Sequence, residues 1–330
     1  VNKIDKNFSR IKQIKVENSL SFLTNCSNIY RENINAKIIS ITGSCGKTTL
    51  KEMMRHILGK ISKTSFSKKS YNNKYGVPLS LINIKQSDKF GVLEVGMDKK
   101  GEIDYLSKII KPDLGVITNI SLAHSKNFKN INLIAQAKAE IIKNIKKNGT
   151  LVLNMDDKFF YFHRNLAIKK NLKVISFGIK NKFSMIRLIK TKRLKNKYEL
   201  FIKVNNRNLS FYSLNINQSN IYNILATLAS IYTSVNLKNL SKDIFLDFKI
   251  PSGRGDISSL KIYNKNIFLV DETYNSNPLS LKVAIENYDR IETKNSEKYL
   301  ILGDMLELGK HSLKQHKSIS KIINKTEINK

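Results

Sequence analysis

Cysteine is scarce in this chain, which has two among 330 residues, Cys26 and Cys45. Two cysteines do not support a disulfide framework or a zinc cluster, and Cys45 lies inside a glycine-rich segment. Free thiols suit a reducing compartment, so we expect a cytoplasmic protein.

Long apolar runs are lacking as well. No run approaches the roughly 18 residues of a membrane span, and the opening VNKIDKNFSR has no apolar core of the kind that a signal peptide needs. We therefore expect no stable membrane insertion. Because the first residue is Val1 rather than Met, we also expect the sequence to be a fragment of a longer protein.

Acidic residues are few, since 26 Asp and Glu stand against 58 Lys and Arg, for a formal net charge of +32. A charge of this size can indicate a nucleic-acid or membrane-surface partner. The lysines are, however, scattered through every segment, Asn and Ile are abundant, and tryptophan is absent. We interpret the charge mainly as a compositional bias, and we expect a monomer with no nucleic-acid partner.

What the chain does have is one stretch, residues 37–59, with the pattern of a buried strand, a glycine-rich turn and a helix. Such a turn presents backbone N–H groups and a helix N-terminus to an anion, so it predicts a site for a nucleoside triphosphate. Lys47 would reach the terminal phosphates and Thr48 would hold Mg²⁺. A chance GKT in a lysine-rich chain is the alternative. The loop is shorter than a usual P-loop and comprises Gly43, Ser44, Cys45, Gly46, Lys47, Thr48 and Thr49.

Further apolar strands alternate with helices. Strands are predicted at 90–96, 114–120 and 150–154, and helices at 101–110 and 131–146. This alternation is typical of a doubly wound, mostly parallel α/β sheet, in which ligands bind at the carboxyl ends of the strands. Glu94, Asn119 and His124 follow strand ends, and Glu94 would join Thr48 as a ligand of Mg²⁺ or Mn²⁺. A buried carboxylate paired with a lysine is the alternative for Glu94.

The second half of the chain has a different pattern. Residues 180–214 alternate apolar and polar positions, which predicts an antiparallel insertion before helices at 218–234 and 240–248. Segments 266–278 and 299–309 predict two strands of a Rossmann-like domain, which we expect to be truncated. Together with the family resemblance described next, these patterns assign residues 1–35 to the end of an N-terminal domain and a linker helix, 36–249 to a central ATP-binding domain, and 250–330 to a C-terminal domain.

In order and spacing, the motifs of this chain resemble the Mur ligase family. The similar stretches are ITGSCGKTTLKEM, YNNKYGVPLSL, LEVGMDKKGEI, ITNISLAHSKNF, AQAKAEII, LNMDD, SGRGD, VDETYNSNP and LGDMLELGKHS. They cover about residues 16–320, and the last two resemble members that add D-alanyl-D-alanine to UDP-N-acetylmuramoyl-tripeptide. The resemblance covers neither a full N-terminal domain, which in the family holds the UDP moiety, nor the rest of the C-terminal domain.

The resemblance implies roles for particular residues. His124 matches a metal ligand, and Lys138 matches a lysine that carries a carbamate and helps to hold a second metal ion. A lone histidine is more often structural, and a lysine on a helix is usually solvated, so both roles depend on the resemblance. Lys47, Lys138, His124 and Arg254 are the implied catalytic residues. Nucleotide contacts are implied for Asn220, Asn223, Arg254 and one of Asp271 and Glu272, and substrate contacts for Asn72, Asn73, Asn119, Asn275 and Asn277.

The implied reaction activates a peptide carboxylate with ATP to an acyl phosphate, which the amine of an incoming dipeptide attacks. It needs no protein nucleophile, so catalysis would consist of positioning and charge neutralisation. Three alternatives stay open: another Mur-type or folylpolyglutamate-type ligase, a basic nucleic-acid-binding P-loop protein, and a fragment that binds ATP without turning it over.

Overall fold

The computed structural model describes residues 3–8, 10–122, 125–291 and 296–328. The strands of this part of the chain are β1 (Lys37–Thr42), β2 (Thr64–Phe66), β3 (Phe90–Glu94), β4 (Leu114–Ile117), β5 (Thr150–Asn154), β6 (Lys173–Gly178), β7 (Ile186–Arg193), β8 (Tyr198–Val204), β9 (Arg207–Ser213), β10 (Asp256–Ile262) and β11 (Lys265–Asp271). Its α-helices are α1 (Ser19–Glu32), α2 (Lys47–Ile61), α3 (Gly76–Ile82), α4 (Glu102–Ile110), α5 (Ile131–Asn144), α6 (Phe160–Lys169), α7 (Gln218–Ile231), α8 (Pro278–Asp289) and α9 (Ser312–Ile323).

One large sheet forms the centre of the molecule, with the strand order β2-β3-β1-β4-β5-β6-β7-β8-β9. Strands from β2 to β7 run parallel, whereas β7, β8 and β9 pair antiparallel. The predicted fold class, a mostly parallel doubly wound sheet with an antiparallel insertion, is therefore confirmed. The insertion continues the central sheet through the β6–β7 pairing and does not form a separate layer.

Both faces of the sheet are covered, because side chains of a strand alternate between its two faces. Ile39 and Ile41 of β1 pack in one core with residues of α2 and α7. Ile38, on the opposite face of the same strand, packs in a second core with residues of α3, α4 and α5. Burial on both faces explains why the strands have continuous apolar sequences rather than alternating ones.

Strand β1 lies between β3 and β4 and pairs parallel with both. The chain therefore leaves β1 toward one side of the sheet and continues from β4 toward the other. In α/β sheets, this reversal opens a crevice at the carboxyl ends of the strands, where ligands bind. The phosphate loop between β1 and α2 lies at that crevice.

The C-terminal part of the chain differs from the prediction. Strands β10 and β11 form an antiparallel hairpin whose turn residues, Tyr263 and Asn264, both have positive φ angles, at 44° and 61°. Helices α8 and α9 enclose a small core of Ile285, Met305, Leu308 and Ile319. The strand predicted at 299–309 is wrong, since this segment belongs to no ladder among the described residues. An apolar run becomes a strand only where a neighbour accepts its backbone hydrogen bonds.

The helix predicted at 240–248 is also wrong. Successive turns replace it, in which the amides of Ile244 and Leu246 donate to carbonyls three residues earlier. The Ser241 hydroxyl accepts from the Asp243 amide, a local bond that competes with helix formation. Helix α3 begins at Gly76 although Pro78 follows two residues later, because proline is tolerated in the first turn of a helix.

Helix α1, assigned from the sequence to a linker, packs against α3 and α4. Its Arg31 is buried and donates to the carbonyls of Ile110 and Lys111 and to the Asp113 carboxylate. The domain boundaries as a whole stay a prediction. Across the described ranges, no helix combines the length and apolarity needed to cross a bilayer.

Candidate active site

A cavity of about 1190 Å³ opens at the carboxyl ends of the parallel strands. The phosphate loop, the loop before α3, the end of β3 and the N-terminus of α7 contribute to its wall. Arg254, Glu272 and the first turns of α8 form the facing wall, so the cavity lies between the large sheet and the C-terminal unit. Its volume exceeds that of a typical small-ligand pocket.

The phosphate loop owes its shape to two glycines in left-handed backbone conformations. Gly43 has a φ angle of +146°, and Gly46, the residue before α2, has a φ angle of +81°. A Cβ at Gly43 would lie 1.9 Å from the Thr118 hydroxyl. The Lys47 ammonium donates to the Gly43 carbonyl at 2.9 Å, so it lies over the loop that it would serve. Thr49 is buried in the first turn of α2 and lines the cavity.

The chain after β4 braces this loop. Asn119 accepts from the Cys45 amide at 3.0 Å and donates to the Cys45 carbonyl at 3.2 Å, and its own carbonyl accepts from Ser44. The Thr118 hydroxyl also donates to the Cys45 carbonyl, at 2.6 Å. Asn119 was predicted to contact the substrate. It lines the cavity, but its side-chain amide forms hydrogen bonds with the Cys45 backbone in the phosphate loop. A role toward substrate stays a prediction.

Oxygen ligands for a metal ion converge where β3 ends. The Thr48 hydroxyl donates to Glu94 Oε2 at 2.9 Å, and Asn72 Nδ2 donates to Glu94 Oε1 at 2.9 Å. Glu94 is only 1% exposed, yet it lines the cavity and has no lysine partner, which excludes the ion-pair alternative among the described residues. A buried carboxylate beside a hydroxyl is a set of hard oxygen donors, so these residues fit Mg²⁺.

Lys138 is almost entirely buried on α5, at 1% exposure, and is absent from the described residues that line the cavity. Burial holds its pKa well below the ordinary range, and the nearby charge of Lys47 lowers it further, while Cys45 acts in the opposite direction. A buried lysine with a lowered pKa presents a neutral amine, which is the nucleophilic form.

The two asparagines of α7 face different neighbours. Asn223 lies over the phosphate loop, with its Oδ1 3.4 Å from the position of a Cβ on Gly46. Asn220 donates to the Ser213 hydroxyl and the Asn215 carbonyl, and thereby shapes the loop that precedes α7. Both line the cavity.

Across the cavity, Arg254 stacks on Tyr274, with its guanidinium carbon 4.2 Å from the ring centroid. Glu272 lines the cavity beside it, and loss of water around its carboxylate raises its pKa to about 7. Arg254 opposes this rise, whereas Asp256 and Asp271 add to it. Asp271 instead accepts from Thr273 and lies outside the lining, so of the two acidic candidates the structure brings Glu272 into the site.

Two residues after β11, Tyr274 and Asn277, link the two walls of the cavity. Asn277 caps α8 by accepting from the amides of Leu279 and Ser280, and its Nδ2 donates to Cys45 Sγ at 3.1 Å. The Tyr274 hydroxyl donates to Ser70 Oγ at 2.7 Å. Asn275 lines the cavity without a hydrogen bond among those described. The C-terminal unit is therefore docked on the phosphate loop.

Two further predicted residues remain. Asn73 lines the cavity, but its side chain accepts from the amides of Tyr75 and Gly76 at the start of α3. His124 lies outside the described residues, and its role as a metal ligand stays a prediction.

Sequence reasoning missed Lys51, Thr118 and Tyr274. Of these, Lys51 carried a readable signal, since it lies three and seven residues before Met54 and Leu58 on the apolar stripe of α2.

Comparison with known proteins identifies what the chain is similar to. The family described as Mur ligase middle domain matches residues 41–231. A UDP-N-acetylmuramoyl-tripeptide--D-alanyl-D-alanine ligase from Buchnera aphidicola is 36% identical, over 97% of this chain and 69% of the relative. A ligase of the same name from Rickettsia prowazekii is 34% identical, over 93% of this chain and 67% of the relative.

Solved structures give the same result. A crystal structure of MurF from Acinetobacter baumannii superimposes with a TM-score of 0.87 at 26% identity, covering 99% of this chain and 69% of that one. MurF ligase from Thermotoga maritima, solved in complex with ADP, gives a TM-score of 0.83 at 26% identity, covering 95% of this chain and 70% of that one.

Proposed function

The chain belongs to the Mur ligase family, and we propose that it is the ATP-dependent ligase that joins D-alanyl-D-alanine to UDP-N-acetylmuramoyl-tripeptide in peptidoglycan synthesis. The observation that carries the proposal is the cluster of Thr48, Glu94 and Lys47 at the carboxyl ends of the strands, in a chain similar over nearly its whole length to ligases of that name. We propose further that it acts as a monomer in the cytoplasm.

In the proposed reaction, a carboxylate oxygen of the tripeptide attacks the γ-phosphorus of ATP, and ADP leaves. The amine of the dipeptide then attacks the carbonyl carbon of the acyl phosphate. The tetrahedral adduct collapses with loss of phosphate, and the nitrogen gives up a proton as the amide forms. Mg²⁺ held by Thr48 and Glu94 would supply neutralisation of the phosphate charge.

The protein's own part is to bring anions together. Lys47, now bonded to Gly43, would turn its ammonium to the terminal phosphates, and the amides of the phosphate loop would donate to them. Arg254 would complete the charge neutralisation from the opposite wall, where the Tyr274 ring holds its guanidinium plane. Because neither substrate needs a protein nucleophile, the rate enhancement would come from positioning and electrostatics.

We propose that Lys138 carries a carbamate, the finer part of the cofactor assignment. Its burial and lowered pKa support a neutral amine, which adds to CO₂ and releases a proton. NMR of protein equilibrated with ¹³C-bicarbonate should then show a carbamate signal that Lys138→Ala lacks. Lys138→Ala should also lose ligase activity that short carboxylates partly restore. Full activity in that variant would refute the role.

The decisive experiment measures phosphate release from ATP and Mg²⁺ with UDP-N-acetylmuramoyl-tripeptide, with and without D-alanyl-D-alanine. Release that requires both substrates supports the proposal. Release with a folate and glutamate instead would support a folylpolyglutamate-type ligase. ATP-dependent stabilisation without any release would support the binding-only alternative. If none of these results is seen and the protein instead binds nucleic acid with a strong dependence on salt, the result would support a basic nucleic-acid-binding P-loop protein.

A further inference from the structure

Lys51 is a charged residue in an apolar place. It lies on α2, four positions after Lys47, and its side chain is 0% exposed. Lys51 is absent from the described residues that line the cavity. A buried ammonium is costly unless hydrogen bonds and a counter-charge compensate for the lost water. The groups that accept hydrogen bonds from Lys51 therefore indicate its role.

The Lys51 ammonium has three acceptors, one for each of its protons. It donates to the Ser67 carbonyl at 2.8 Å and to the Lys69 carbonyl, and it lies 3.0 Å from Glu52 Oε1. Two of the three acceptors belong to one turn, residues 67–72, which we call the anchored turn. Lys69 in this turn has a φ angle of +46°, a left-handed conformation that a non-glycine residue adopts only where its surroundings impose it.

The anchored turn contacts Glu94 from both of its ends. At its start, Ser67 Oγ accepts from the Glu94 amide at 3.2 Å, and the Ser67 amide donates to the Val92 carbonyl at 3.0 Å. At its end, Asn72 Nδ2 donates to Glu94 Oε1 at 2.9 Å, and the Asn72 carbonyl accepts from Gly96 at 2.8 Å. The geometry of the Glu94 carboxylate thus depends on the turn.

We propose that Lys51 is a positioning residue for the metal site, acting through the anchored turn on the Glu94 carboxylate. The inference rests on the proposed function, in which Glu94 and Thr48 hold Mg²⁺. Without the ammonium, the carbonyls of Ser67 and Lys69 lose their shared donor and the left-handed turn relaxes. Asn72 then no longer fixes Oε1, and the carboxylate loses the orientation that faces Thr48.

The test titrates MgCl₂ at fixed ATP and records the rise in melting temperature, so that it reads metal binding without turnover. We compare the parent with Lys51→Met, Ser67→Ala and the control Lys60→Met. Lys60 is on the same helix but is 41% exposed and pairs with Asp247 at the surface. Lys51→Met should raise the half-saturating Mg²⁺ concentration about 10- to 100-fold, the usual effect of losing an outer-shell partner. Ser67→Ala should raise it less, and Lys60→Met should leave it unchanged.

A purely structural role would lower the melting temperature of Lys51→Met without ligand and leave the Mg²⁺ midpoint where it is in the parent, which overturns the proposal. If Lys51→Met does not fold, Lys51→Gln, which also removes the charge but keeps a polar side chain, takes its place, and an unchanged midpoint there also overturns the proposal. A parent that ATP and Mg²⁺ do not stabilise at all overturns the proposed function together with this inference. The positioning role is refuted on its own only when ATP and Mg²⁺ stabilise the parent and the variant keeps the parent's Mg²⁺ midpoint.

Discussion

Lys47 and Lys138 lie close enough for the charge of one to lower the pKa of the other, and Lys47 is bonded to a carbonyl of its own loop. A lowered pKa favours the neutral amine of Lys138, which leaves the Lys47 ammonium as the positive charge beside the phosphate loop. A triphosphate is the ligand that such a charge favours.

The first prediction concerns Lys47. Lys47→Ala should abolish the rise in melting temperature that ATP and Mg²⁺ cause in the parent, because the ammonium that reaches the terminal phosphates is gone. The exposed Lys85 provides the matched control, since Lys85→Ala removes the same charge away from the cavity. A Lys47→Ala protein that ATP stabilises as much as the parent would sink the phosphate-site assignment.

The pKa of Glu272 is raised from 4.5 to about 7 in the folded protein. Between these two values the unfolded chain has released the proton and the folded protein still holds it, so stability falls as pH rises through this window and levels off above it. Glu272→Gln should remove this contribution. Its stability relative to the parent should therefore increase from pH 4.5 to 7 in urea unfolding.

Glu286→Gln makes the same charge change on α8, where Glu286 pairs with Lys282. It should not reproduce the pH dependence of Glu272→Gln. Parallel stability curves for Glu272→Gln and the parent would contradict the raised pKa.

At the scale of elements, the join between β1 and α2 depends on Gly43. Gly43→Ala would force an alanine to a φ angle of +146° and place its Cβ 1.9 Å from the Thr118 hydroxyl. We expect a loss of at least about 1–3 kcal/mol in the free energy of unfolding, together with the loss of ATP-dependent stabilisation.

Gly59, near the end of the same helix, is the matched control, because a Cβ added there would have no other atom within 4 Å. Gly59→Ala should stabilise the protein by about 0.5–1 kcal/mol, because alanine loses less conformational freedom in a helix. Urea unfolding of both variants tests the pair, and equal effects would contradict the steric account.

Elements that are defined by local pattern were predictable. The strand at 150–154 was placed at its observed bounds, and α2 and the phosphate loop followed from glycine spacing and apolar periodicity. Elements that depend on distant partners were not predictable. β10 forms because β11 pairs with it, α6 and β6 went unassigned, and the apolar segment at 299–309 has no pairing partner among the described residues.

The site shows the same division. Glu94 and Thr48 could be paired from the sequence because each follows the end of a parallel strand, and such ends meet at one edge. The sequence could not show that the Asn119 side chain forms hydrogen bonds with the Cys45 backbone. Whether such a side chain contacts a substrate or a neighbouring loop depends on distances of a few ångströms.

At the scale of the whole molecule, hydrogen bonds join the C-terminal unit to the part of the chain that forms the central sheet, among them the contact of Asn277 with Cys45. Another is the bond of the Tyr274 hydroxyl to Ser70, and a third is that of the Lys126 amide, which donates to the Glu307 carbonyl. These contacts join residues far apart in the chain, and Arg254 lines the same cavity as the phosphate loop.

Tyr274→Phe removes the hydroxyl and keeps the ring under Arg254. A hydrogen bond of this kind contributes about 0.5–1.5 kcal/mol, so kcat should fall roughly two- to tenfold while the KM for ATP changes little. Tyr263→Phe is the control, since that hydroxyl belongs to a side chain that is 97% exposed. Steady-state kinetics separate the two, and an unchanged kcat in Tyr274→Phe would contradict a role of this bond in docking.

The Cys45 thiol lies between the phosphate loop and α8, so its reactivity can report movement of the two cavity walls. Cys45 and Cys26 are both free, and Cys45 is the one that Asn277 covers. Cys45 is partly exposed and lines the cavity, so an alkylating reagent should reach it faster when the two walls lie further apart, and the labelling rate at this position should follow their separation. If ATP draws the walls together, it should slow the labelling of Cys45. The labelling rate of Cys26 serves as the internal reference.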